Sequence, residues 1–137
     1  MIHKAILGSL ALGATLTAAQ ATTSVDTQTG EPAAIYSSVC VHPETGDLLG
    51  FRVVVMHFPD TTYIMFQAAE GSMDPPELTE ATLYGHTVAF ALRKSLRGSF
   101  SGTITEKSLR GQLRVASAQE ALNLPRQLRI APIPICR

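Results

Sequence analysis

The chain has 137 residues, 45% of them hydrophobic and 16% charged, with a formal net charge of zero. That supplies apolar material for one packed domain and excludes a disordered polar chain. A zero net charge, 6% aromatic residues and no tryptophan also argue against nucleic-acid binding, which needs clustered cations with stacking rings.

The first segment reads as an export signal. Met1 to Lys4 is a short positive start, and Ala5 to Leu16 is an apolar run of signal-peptide length, too short to span a bilayer. Ala19-Gln20-Ala21 has the small-residue form of a cleavage site. Cleavage after Ala21 takes 21 of the 137 residues and leaves 116. No cysteine near that point could carry a lipid, and no later stretch is long and apolar enough for a membrane helix. The expected organisation is a signal peptide (1–21), a polar flexible leader (22–33) and a single domain (34–137), in a periplasmic or secreted protein.

From Ile35 onward the hydrophobic period is two, which predicts strands. Eight segments stand out: Ile35–His42, Leu48–Phe58, Thr62–Glu70, Leu78–Tyr84, Thr87–Arg93, Ser99–Thr105, Ser108–Val115 and Gln127–Ala131. They are rich in Val, Ile, Thr, Phe and Tyr, and turn residues separate them at Glu44 to Asp47, Pro59-Asp60, Gly85-His86 and Glu106-Lys107. One short helix is predicted before the last strand. There Ser117 and Glu120 have capping-box spacing, Ala118, Ala121 and Leu122 follow, and Asn123 with Pro125 ends the run.

Consecutive strands with short connections predict an all-β antiparallel meander, closed as an eight-stranded up-and-down barrel that leaves no exposed edge. A two-sheet β-sandwich is the alternative. The architecture resembles the lipocalin-like small barrels, and no sequence motif of a known family accompanies the resemblance. Alternating strand direction sorts the tight turns to one end. The other end receives Glu44 to Asp47, Gly71 to Glu77, Lys94 to Gly98 and the segment from Ala116 to Pro125. A barrel of this kind would bind at its loop end, and Phe51, Val53, Phe66 and Phe90 are the candidate lining residues if the interior is open.

A two-residue turn at Glu106-Lys107 places Ile104 opposite Leu109, Gly102 opposite Gly111, and Phe100 opposite Leu113. A preceding turn centred on Leu96 places Val88 opposite Ile104, Phe90 opposite Gly102, and Leu92 opposite Phe100. All the apolar side chains then share one face, which a one-residue slip would destroy. Phe90 would stand beside two strand glycines, as aromatic residues do where a sheet bends. The outer face would carry Arg93, Ser99 and Arg114 in one row, with Arg110 on the same strand and Arg129 on the next.

The charge is unevenly spread. Thr22 to Glu80 contains nine acids against Arg52 alone, a net of −8; Ala81 to Arg137 contains nine bases against Glu106 and Glu120, a net of +7. Guanidinium groups suit carboxylates and phosphates, so Arg93, Arg110 and Arg114 are candidate anion-binding residues. A solvated barrel exterior is the plainer explanation of the same residues.

Cys40 and Cys136 are the only cysteines, and in an exported chain they read as one disulfide. Metal ligation through Cys40 and His42 is the weaker alternative. If the bridge closes an antiparallel seam, Pro43 meets Ile133, and Pro132 and Pro134 donate nothing to the ladder. That conflict predicts a tail stapled over an imperfect seam in a barrel that is partly open.

Signatures of catalysis are missing. No nucleophile elbow, phosphate loop, zinc-protease motif or dinucleotide fingerprint occurs. His42, His57 and His86 lack metal-ligand spacing, and Asp74 and Glu77 flank two loop prolines. The expectation is therefore a non-catalytic exported binding protein without cofactor or metal. Its partner would be a small apolar or amphipathic ligand, or an envelope protein such as a hydrolase that it inhibits, and not nucleic acid. The alternative is an envelope interaction protein that sets its arginine face on an anionic surface.

One repeat, Lys-Ser-Leu-Arg-Gly at Lys94 to Gly98 and Lys107 to Gly111, invites a recognition reading. The predicted strands place the copies at opposite ends of the barrel, so the repeat reads as hairpin periodicity: a turn, Leu inward, Arg outward, Gly at a bend.

Overall fold

The predicted alternation is realised as nine strands in a computed structural model, which describes residues 33–94, 96–128 and 131–137. The export signal, leader residues 22–32, Ser95 of the first repeat copy and Arg129 lie outside the described residues. The strands are β1 (Ala33–Ser37), β2 (Cys40–Val41), β3 (Leu48–His57), β4 (Thr62–Met73), β5 (Glu77–Tyr84), β6 (Thr87–Leu92), β7 (Gly98–Ile104), β8 (Ser108–Val115) and β9 (Ala118–Gln127). From β3 each strand pairs antiparallel with the next, and β9 returns to β1 at Ile35↔Gln127 and Tyr36↔Arg126. The result is a closed eight-stranded barrel of lipocalin-like architecture, with β2 as an extra short strand.

β1 and β2 are two pieces of one predicted run. Both pair with β3 in a single register, Ser37↔Arg52 and Cys40↔Leu49. Between them the ladder is carried by Ser38, whose N–H donates to the Phe51 carbonyl and whose hydroxyl accepts from the Phe51 N–H.

Alternation sends one set of side chains inward. Tyr36, Val53, Val55, Ile64, Phe66, Val88, Phe90, Leu92, Phe100, Leu109, Leu113, Leu122 and Leu124 are all buried in one cluster. At about 1.5–3 kcal/mol for each large side chain removed from water, this cluster is the main driving force for closure.

Three expectations need correction. The helix is not formed: Ala116 and Ser117 make a two-residue turn, Ala116 taking φ 51°, and β9 follows with Val115↔Ala118 and Gly111↔Leu122. Burying Leu122 and Leu124 on one side of an extended chain outweighs a capping box whose helix would be too short to stand alone. Pro125 fits β9 because the Arg126 N–H donates to the Lys107 carbonyl, so the nitrogen of Pro125 faces away from β8 and removes no bond from that ladder.

Between β7 and β8 the register is the predicted one, with Gly102↔Gly111 and Phe100↔Leu113. Between β6 and β7 it is two residues away: Val88 pairs with Gly102, Phe90 with Phe100, and Leu92 with Gly98. A two-residue shift keeps every side chain on its face, so the hydrophobic pattern cannot distinguish the two registers. The connection decides. Glu77, 4% exposed, accepts from the Arg93 and Lys94 N–H groups, and Arg97 turns the chain at φ 47°, so the loop spans 93–97.

The ring over the glycine pair is therefore Phe100 and not Phe90. A Cβ on Gly102 would lie 2.1 Å from the Arg110 carbonyl oxygen and 2.8 Å from the tip of the Phe100 ring; one on Gly111 would lie 2.6 Å from that ring.

The third correction concerns the C-terminus. The expected last strand, Gln127–Ala131, is replaced by β9, and the tail beyond it runs parallel to β2, with Val41 bridged to Ile135. The Val41 N–H donates to the Pro134 carbonyl, and the Cys136 N–H donates to the Val41 carbonyl. The predicted disulfide joins Cys40 to Cys136, with Cα atoms 4.9 Å apart. The prolines need donate nothing here, because β9 itself closes the barrel. The partly open alternative falls away.

Candidate functional site

The barrel interior comes first, because Phe51, Val53, Phe66 and Phe90 are predicted to line it. β3, β4 and β6 bring all four together. Val53 and Phe66 are fully buried, Phe90 is 5% exposed, and Phe51 packs against the cluster from its edge. The rings make a chain with centroids 5.9 Å apart for Phe51–Phe66, 6.4 Å for Phe66–Phe90 and 5.1 Å for the stacked pair Phe90–Phe100. An eight-stranded barrel is just wide enough for its side chains to fill, and these rings occupy its middle.

The loop end is smaller than predicted. β4 runs on to Met73 and the last connection is only Ala116-Ser117, so among the described residues no long connection overhangs a mouth. Asp74 and Glu77 do not pair. Asp74 accepts from Gln67 through its main-chain carbonyl, while the Glu77 carboxylate holds loop 93–97.

The arginine row is only partly assembled. Arg110 and Arg114 are exposed on the outer face of β8, and the Arg110 Nε donates to Asn123 Oδ1 at 3.0 Å. The two-residue shift puts Ala91, not Arg93, in the row of Ser99 and Arg114. Arg93 lies past the end of β6, exposed in the loop with Lys94 and Arg97.

The three histidines among the described residues lie in or beside turns. His42 Nδ1 faces the Glu44 and Thr45 N–H groups, His57 Nδ1 lies 3.4 Å from Thr62 Oγ1, and the His86 carbonyl accepts from Ile104 N–H. Among the described residues no group of three His, Cys, Asp or Glu could hold a metal ion. A wide cleft of about 470 Å³ beside His57, Asp60 and Glu80 has polar groups bonded to one another, the Thr61 hydroxyl donating to Glu80 Oε1 at 3.1 Å.

The more enclosed cavity, about 210 Å³, lies on the outer wall at the seam. Because Tyr36, Val53, Val55, Ile64 and Phe66 point inward, their neighbours Ile35, Ser37, Arg52, Val54 and Met65 point outward. These five line the cavity from below with Val39 and Gln127, and Ala131 to Pro134 of the tail line it from above. Ile35, Val54, Met65 and Leu78 stand opposite one another across β1, β3, β4 and β5, a continuous apolar stripe on the exterior. Leu78, outside the cavity, is 61% exposed. Gln127 Nε2 donates to the Ser37 carbonyl at 3.5 Å across the seam.

Sequence reasoning missed this site, although one signal pointed to it. Val53-Val54-Val55-Met56 is apolar on both faces, the pattern of a strand covered on both sides.

Together these features define a small, closed, disulfide-bonded β-barrel with a filled interior and a tail-covered cavity on its wall. The chain matches no protein-family model, no curated protein and no solved structure. The disulfide, and the absence among the described residues of a helix able to cross a membrane, are compatible with an extracellular or periplasmic protein.

Proposed function

We propose that the chain is an exported, non-catalytic binding protein that holds a small amphipathic molecule between its barrel wall and its C-terminal tail. The observation that carries this reading is the cavity of about 210 Å³, with apolar walls from Ile35, Val39, Val54, Met65 and Ile133 and polar groups from Ser37, Arg52 and Gln127. Apolar lining with a few placed polar groups is the usual make-up of a small-molecule site. The filled interior supports the move from the barrel mouth to the seam. The signal-like start and the disulfide support export to the periplasm or beyond.

The test is a titration of isotope-labelled protein with 1-hexanol, followed by amide resonances. Shifts at Ile35, Val54, Met65 and Gln127 that Val54→Trp abolishes are the expected result. Shifts confined to Phe66, Phe90 and their neighbours, or none at all, would overturn the reading.

A second reading rests on the exposed bases of the other half: Arg93, Lys94 and Arg97 in one loop, Arg110 and Arg114 on β8. They would set that side of the barrel on an anionic envelope surface. Flotation with phosphatidylglycerol vesicles at low salt tests it, and wild type that stays unbound ends it.

A further inference from the structure

We infer that the molecule held at the seam is a small monocarboxylate with an apolar body, anchored by Arg52; this rests on the cavity reading above. Arg52 is carried on the outer face of β3, half-buried, opposite Ser37 of β1. It is the one charged side chain lining the cavity among the described residues, and no acid lines it. Among those residues no hydrogen bond or ion pair engages the Arg52 side chain, whereas the exposed Arg110 is held by Asn123.

The setting makes this unusual. Arg52 is the sole base from Thr22 to Glu80, a stretch with nine acids, yet none of the seven acids among its described residues lies on the cavity wall. A cation set among Ile35, Val54, Met65 and Ile133 loses part of its hydration and has no counter-charge among the described residues, an arrangement that favours an incoming anion. The guanidinium fork matches a carboxylate in bidentate geometry.

Charge and size narrow the class. One arginine balances one negative charge, and the remaining walls are apolar, so a monoanion with a hydrocarbon body fits better than a phosphate dianion. A volume of about 210 Å³ equals roughly seven waters' share of liquid volume. That accommodates a short aliphatic or single-ring acid and leaves the chain of a long fatty acid outside.

The experiment compares sodium hexanoate, 1-hexanol, hexylammonium and inorganic phosphate by the same resonance titration, on disulfide-bonded wild type and on Arg52→Gln and Arg52→Lys. Hexanoate is expected to bind about tenfold or more tighter than hexanol, the scale of one charge-assisted hydrogen bond, with hexylammonium weakest. In Arg52→Gln the acid falls to the level of the alcohol, and Arg52→Lys, which keeps the charge without the fork, lies between. Unchanged amide dispersion and thermal midpoint establish that the variants fold. Equal binding of acid and alcohol by wild type overturns the carboxylate assignment and leaves the cavity reading standing. So does an acid preference that survives Arg52→Gln, or phosphate binding as tight as hexanoate at the same amides. Failure of all four ligands overturns both.

Discussion

The two faces of β1, β3 and β4 have been put to opposite uses. Inward, Tyr36, Val53, Ile64 and Phe66 join the core cluster, where Phe66 faces the Phe90 ring, and are almost fully buried. Outward, Ile35, Val54 and Met65 line a cavity that the tail covers among the described residues, and that tail has Pro132 and Pro134 where a strand would have donors. A strand neighbour zips along its whole length. Among the described residues this tail makes two backbone bonds to Val41 and one disulfide to Cys40, and the space it leaves unfilled is the cavity. In a barrel this narrow, large rings take up the interior, and the proposed site lies instead on the face whose cover is loose.

The contrast can be broken from either side. Cys136→Ser is expected to have the largest effect. The bridge spans a separation of 96 residues, and the chain-entropy model assigns a loop of that length about 4.7 kcal/mol. Urea unfolding of the variant, kept reduced, should show most of that stability lost, and freeing the roof should also abolish the hexanol response of the folded variant. A variant that keeps both its stability and its response would mean that the tail is held by something else.

Next in size is a pair on one strand. Phe66→Ala, at a fully buried site, should cost about 3–5 kcal/mol, whereas Met65→Ala, facing the cavity, should cost roughly 1–2 kcal/mol because the side chain is half-exposed and flexible. Equal costs would erase the distinction between the faces.

Gly102→Ala sharpens the account of the filled interior. Its Cβ would meet the Arg110 carbonyl and the Phe100 ring, and a loss of about 1–3 kcal/mol is expected from overpacking. The smallest effect belongs to Ser117→Ala, less than about 0.5 kcal/mol at an exposed turn. A loss near 1 kcal/mol, the usual worth of a helix cap, would revive the helix.

These positions also show how far the chain could be read without its fold. Gly102 opposite Gly111 was legible because a two-residue turn leaves one pairing that keeps Phe100, Leu109 and Leu113 on a single face. Phe90 opposite Phe100 was not, because the choice lies with Glu77, distant in sequence, which binds the loop amides at Arg93 and Lys94. Ser117 and Glu120 misled because capping signals are local, and no local signal records that Leu122 and Leu124 have a core to enter. For the site, Arg52 stood out only as a lone base among acids, and the double-faced run from Val53 to Met56 hinted at a cover without saying what it was.

What the amino-acid order determined by itself is an extended chain with two-residue periodicity, its turns, the Cys40–Cys136 pair and the barrel that follows from burying one face of each strand. Those are consequences of nearest-neighbour alternation and of closing a sheet on its apolar side. Tertiary structure alone decided the register of β6, the extension of β9, the return of the tail alongside β2 and the placing of Arg52 beneath it. Each of these depends on contacts between residues far apart in the chain, whose energies no local pattern carries.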